Sequence, residues 1–115
     1  MSGTNPRMAP DLVRRHAPKL ADLTDDVLFA DIWQRPGLSA RDRSLITVAT
    51  LAALGRDAQL TGHLQRALDN GLTHDELAEA VTHLAFYAGW PAAMTATTLL
   101  AHIIDTPAAT DDQTR

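Results

Sequence analysis

The chain has 115 residues, of which 45% are hydrophobic and 21% charged, proportions that suit one globular domain and exclude a disordered chain. Its net charge of −4 gives no general pull towards nucleic acid or anionic membrane, and the absence of cysteine excludes disulfides, thiolate metal sites and dithiol redox chemistry. No apolar run approaches the roughly 20 residues of a membrane span, and the N-terminus lacks a signal-peptide core, so a cytoplasmic protein is expected.

Residues 1–9 read as a flexible arm and 106–115 as a flexible acidic tail, leaving 10–105 as a single helical domain. The first helix, about 10–22, is interrupted by Pro18. Thr24 is a plausible N-cap for a second helix running to about Trp33, with Asp25 and Asp26 in its first turn. Arg35-Pro36-Gly37 then forces a turn. Ser39 is placed to cap a third helix, which is apolar nearly all round from Leu45 to Leu54 and ends at Gly55; such a helix is expected at the buried centre of a bundle. Asp57 is placed to cap a fourth helix, 58–69, with Leu60, Leu64, Ala67 and Leu68 as its apolar stripe. Thr73 and Glu76 form a capping box that opens a fifth helix, 74–88, with Leu77, Val81, Leu84, Ala85 and Ala88 towards the core. Gly89 breaks the chain and Pro91 suits the first turn of a sixth helix, about 91–104. The fold class is all-α, a compact bundle of five to six helices. A chain of this size often completes its burial by self-association.

Few residues stand out chemically. His63 lies on or beside the apolar stripe of the fourth helix, which fits either a histidine at the edge of the core or a general acid or base. Glu79, His83 and Tyr87 follow at i, i+4, i+8 along one side of the fifth helix. That spacing fits a helix face at a subunit contact; a Glu–His metal pair would need a third ligand that the sequence does not supply. Arg41 looks solvated. Arg43, closer to the apolar run, needs an anionic partner, either a carboxylate of the fold or that of a substrate. No phosphate-binding glycine loop, nucleophile elbow or HExxH motif occurs.

Two stretches carry more. DIWQRPGLSARDRSLITVATLAALGR (31–56) and HLQRALDNGLTHDELAEAVTHLAFYAGWPAA (63–93) resemble the carboxymuconolactone decarboxylase family, through RPGL, RDRSLIT, the NG and EL positions and the YAG-x-PAA close. The resemblance implies a helical bundle assembled into trimers or hexamers, with clefts near subunit contacts. The related alkyl hydroperoxidases carry a CxxC before a histidine in the place of His63; Arg56 and Gln59 stand where those cysteines would be, so thiol peroxidase chemistry is absent. The implied activity is a decarboxylation of a small carboxylated lactone without cofactor or metal, as in aromatic catabolism. In that reading Arg43 anchors a carboxylate or stabilises the oxyanion, His63 donates the proton, and Tyr87, His83 and Glu79 line the substrate cleft. The short, Pro-interrupted start is expected to re-form one wall of that cleft. The competing functions are a lactone or enol isomerase, a tailoring enzyme of secondary metabolism using the same pocket, and a ligand-binding oligomer without catalysis. The expected partners are a small carboxylic acid or lactone and further copies of the chain, with no nucleic acid and no membrane.

Overall fold

The structure, a computed structural model, describes residues 5–106, which are helical with no strand among them. The expected tail therefore lies outside the described residues from position 107 onward, as do the first four residues of the expected arm. Six α-helices occur: α1 (Asp11–His16), α2 (Pro18–Leu23), α3 (Ala40–Leu54), α4 (Asp57–Asp69), α5 (His74–Ala88) and α6 (Trp90–Asp105). A π-helical turn, Thr24–Phe29, continues α2, and a 3₁₀ turn spans Ile32–Gln34. The chain divides into two compact units, residues 1–40 and 41–115.

In the first unit, the predicted first helix is split in two. Ala17 leaves the helical region (φ −142°, ψ 68°), and Pro18 opens α2 at a position where its missing N–H costs nothing. Thr24 is not an N-cap. Its hydroxyl donates to the Leu20 carbonyl at 2.8 Å, so the helix widens into the π turn instead of restarting. Asp25, 5% exposed, is the polar centre of this unit. Its Oδ1 accepts the N–H groups of Met8 (2.7 Å) and Ala9 (2.9 Å), and its Oδ2 pairs with Arg14 Nη2 at 2.5 Å. Asn5 Nδ2 adds a bond to Asp26 Oδ1 at 3.1 Å. Asn5, Met8 and Ala9 belong to the stretch expected as an arm, and here they are tied to the π turn.

The second unit is built on an apolar core. Leu60, Leu64 and Leu77 are fully buried, with Val48, Ala52, Val81, Leu84, Ala96 and others around them. Each such leucine contributes about 1.5–3 kcal/mol relative to exposure. The α5 boundaries and its capping box are as predicted: Thr73 Oγ1 accepts Glu76 N–H at 3.0 Å, and Glu76 Oε1 accepts Thr73 N–H at 2.9 Å. Three details differ. Arg56, not Asp57, occupies the N-cap of α4, and Asp57 supplies negative charge in the first turn. Ala88 is exposed. α3 is buried on one face only, through Ser44, Val48 and Ala52 at i, i+4, i+8, whereas Ile46 and Leu54 are 53% and 60% exposed. Small residues occupy the fully buried face, Leu45 and Leu51 pack partly against the core beside it, and Ile46 and Leu54 face out. Gly55 closes α3 with φ +73°, a conformation that disfavours side chains. No helix of the described residues is long and apolar enough to cross a membrane.

Candidate active site

Arg43 sits in the first turn of α3, half-buried, with its Nε enclosed by protein. Its carbonyl accepts the Thr47 hydroxyl at 2.8 Å. The residues on either side of it are tied to other helices. Arg41 is not simply solvated: it donates to Glu76 at the start of α5 and lies 3.5 Å from Asp42. Ser44, fully buried, accepts a hydrogen bond from Asn70 Nδ2 at 2.9 Å, and Asn70 closes α4.

His63 belongs to α4, between the buried Leu60 and Leu64, and is itself half-buried with Nδ1 enclosed. Burial, and secondarily the positive charge of Arg66 one turn along, hold its imidazolium below the ordinary histidine pKa. Both effects favour the neutral ring. Arg66 at i+3 is a charged neighbour that the residue pattern did not single out, although the helical spacing places it on the same side as His63. Asn70 lies two helical turns beyond His63, about 10 Å along the axis at 1.5 Å per residue. The chain of contacts Arg43–Ser44–Asn70 thus connects the first turn of α3 to the helix that carries His63.

The α5 candidates behave differently. Glu79 is exposed, and the rings of His83 and Tyr87 stack at 5.1 Å with 28° between their planes. Tyr87 is 82% exposed and is followed by an edge-on Phe86–Trp90 pair at 5.2 Å. Among the described residues, Glu79 and His83 gain no third donor for a metal. Concavities among the described residues include one of about 260 Å³ among Val81, Ala85, Phe86, Trp90 and Met94, one of about 210 Å³ beside His74, Thr82 and Leu100, and one of about 380 Å³ at Gly55, Asp57, Ala88 and Pro91. None of these three is lined by Arg43 or His63.

The arrangement offers a half-buried imidazole one helical turn from an arginine, and a second, partly enclosed arginine on a tightly braced helical turn. Such groups suit the binding of an organic anion and the movement of one proton.

Comparison with known proteins places these residues in context. The chain is 48% identical over 64 residues to a 4-carboxymuconolactone decarboxylase from Acinetobacter baylyi, covering 56% of this chain and 48% of the relative. It is 36% identical over 75 residues to nitrosuccinic acid decarboxylase npaB from Metarhizium robertsii, covering 65% of this chain and 52% of that protein. The chain thus spans about half the length of these curated relatives. Residues 18–102, which include Arg43, His63 and the whole of α5, match the carboxymuconolactone decarboxylase family, and the chain belongs to that family.

Proposed function

We propose that this chain is a decarboxylase of a small organic acid whose carboxylate sits on a carbon next to a group able to take up negative charge. Two decarboxylases among its relatives support the reaction class. Their named substrates share this logic. As CO₂ leaves, the electron pair of the broken C–C bond passes into a lactone carbonyl in one and a nitro group in the other. The enzyme then has three tasks: hold the acid, stabilise the oxyanion, and return a proton to carbon. Arg43 holds the carboxylate or faces the developing oxyanion, and His63 delivers the proton. A carboxylated lactone of the 4-carboxymuconolactone type is the first choice of substrate.

The observation that carries this reading is the half-buried His63, its Nδ1 enclosed, one helical turn from Arg66; burial first and Arg66 second favour its neutral form. A resting imidazole without its proton is a poor acid. An arriving carboxylate favours the protonated ring, opposing the effects of burial and of Arg66. His83 and Tyr87, exposed and stacked, line the cleft once further copies of the chain assemble. The outward Ile46, Leu54, Phe86, Trp90 and Met94 support assembly into a trimer or hexamer.

The test is to incubate the protein with 4-carboxymuconolactone and with nitrosuccinate, and to follow CO₂ release and product mass. His63→Ala and Arg43→Lys are each expected to lower kcat/KM by about 10²-fold or more. A product of unchanged mass indicates isomerisation and overturns the decarboxylase reading. Unchanged turnover in both variants overturns the residue roles.

A further inference from the structure

The corner between α4 and α5 grips the first turn of α3 at two points, one on each side of Arg43. On one side Asn70 Nδ2 donates to the buried Ser44 Oγ at 2.9 Å. On the other the Arg41 guanidinium donates to Glu76 Oε2. Glu76 is itself fixed, because its other oxygen, Oε1, accepts the Thr73 N–H at 2.9 Å and its own N–H donates to Thr73 Oγ1 at 3.0 Å. Both carboxylate oxygens are thereby committed, one to capping α5 and one to holding Arg41.

We propose that Asn70 and Glu76 are positioning residues for Arg43, fixing through Ser44 and Arg41 the helical turn from which its guanidinium holds an organic carboxylate. The proposal rests on the reading of Arg43 as the carboxylate anchor. The physical need is specific. A guanidinium binds a carboxylate best through two parallel N–H bonds in one plane, so the direction of approach matters as much as the charge. The first turn of a helix has unpaired N–H groups and tends to fray, and a long arginine on a frayed turn loses that direction. Two ties flanking the arginine, one buried and one ionic, remove the freedom of the turn that carries it. In the order of the chain they come from a single corner, Asn70 to Glu76, which makes this corner the brace of the anchor.

The test uses the full chain labelled with ¹⁵N, with the Arg43 Nε–H resonance assigned by its loss in Arg43→Lys and with succinate as the carboxylate probe. The single variants Asn70→Ala and Glu76→Gln, and the double variant, remove the ties but keep the backbone bonds at the end of α4 and an acceptor for the Thr73 amide. The Arg43 Nε–H heteronuclear NOE is expected to fall stepwise towards that of the exposed Arg35, while the backbone amide spectrum stays folded. Asn70→Asp, which can accept the Ser44 hydroxyl, restores it. Where succinate binds the wild type, its Kd rises about tenfold in the double variant, the scale of one lost well-placed contact. An unchanged NOE in folded variants overturns the positioning claim. Should the double variant unfold, the two singles decide on the same signal. Failure of the wild type to bind succinate counts against the anchoring reading alone, and absence of CO₂ release counts against the decarboxylase reading alone, so the three failures are told apart.

Discussion

The two compact units are held together by opposite physics. In residues 5–40 the large apolar side chains Leu12, Leu20, Leu23, Val27, Leu28 and Ile32 all stand 41% or more exposed, and the described order comes from one buried carboxylate, Asp25, gathering two backbone N–H groups and Arg14. In residues 41–106 fully buried leucines from α4 and α5 do the work, and polar ties such as Asn70–Ser44 and Thr73–Glu76 join or cap the helix ends. A charge-centred unit has direction but depends on ionisation. An apolar core is insensitive to pH but intolerant of lost volume. Within the second unit the two proposed site residues rest on different supports: Arg43 on a turn braced by polar ties, and His63 on a helix seated in the apolar core.

The comparison is broken most severely by Leu64→Ala. A fully enclosed leucine next to His63 leaves a cavity, and the expected loss is about 2–5 kcal/mol of unfolding free energy, measured by urea denaturation. A loss under about 1 kcal/mol shows that the core of this unit relaxes to fill the gap. Asp25→Asn is expected to act locally instead. The amides of Met8 and Ala9 lose their charged acceptor and exchange with solvent faster, while those of α4 and α5 keep their protection; equal loss across both units shows that the two unfold as one. The pH dependence has a definite sign. The Arg14 side chain first, with the two amides, holds the Asp25 carboxyl below its ordinary value of 3.8. Its stabilising contribution is therefore complete above that value and disappears as pH falls through the lower folded pKa. Met8 and Ala9 protection should follow the same course. A smaller effect is expected from Thr73→Ala, which removes one half of the capping box at about 1 kcal/mol. It should leave Arg41–Glu76 in place, because Glu76 Oε2 is untouched.

Much of the second unit was legible because its signals are local. The capping box needs only Thr73 and Glu76 at fixed spacing, and the α4 stripe needs only Leu60, Leu64 and Ala67 at helical period. α3 misled for a physical reason. Its inward face is Ser44, Val48 and Ala52, smaller than its outward Ile46 and Leu54, so hydrophobicity carries no sign of which side is buried. Thr24 misled because a threonine in front of two aspartates is also compatible with a hydroxyl turned back on Leu20. Of the site, the residue types Arg43 and His63 could be picked from the chain, but the ties that surround them could not. Ser44–Asn70 and Arg41–Glu76 span 26 and 35 positions, and no periodicity reaches that far.

The finest distinction between the units lies in where acid begins to weaken them, below the ordinary carboxyl value of 3.8 for Asp25 in the first and below the ordinary histidine value of 6.5 for His63, the proposed proton donor, in the second. Burial and Arg66 depress the folded imidazolium below the ordinary histidine value of 6.5. The unfolded chain therefore binds this proton more readily, and the second unit loses stability as pH falls below 6.5 towards the folded pKa, with no effect above it. Because the ring is only half-buried, solvent screens the effect, and the stability change should be the smallest of those predicted here. Kinetics reads the same group more sharply. If protonated His63 is the acid, the free protein must acquire the proton against Arg66, so kcat/KM should decline with rising pH through a value below 6.5. In the complex the substrate carboxylate opposes Arg66, and the decline in kcat should come at a higher pH. Arg66→Gln should move the first limb upward and bring the two together. Coincident limbs in the wild type, unmoved by Arg66→Gln, would show that the proton comes from elsewhere.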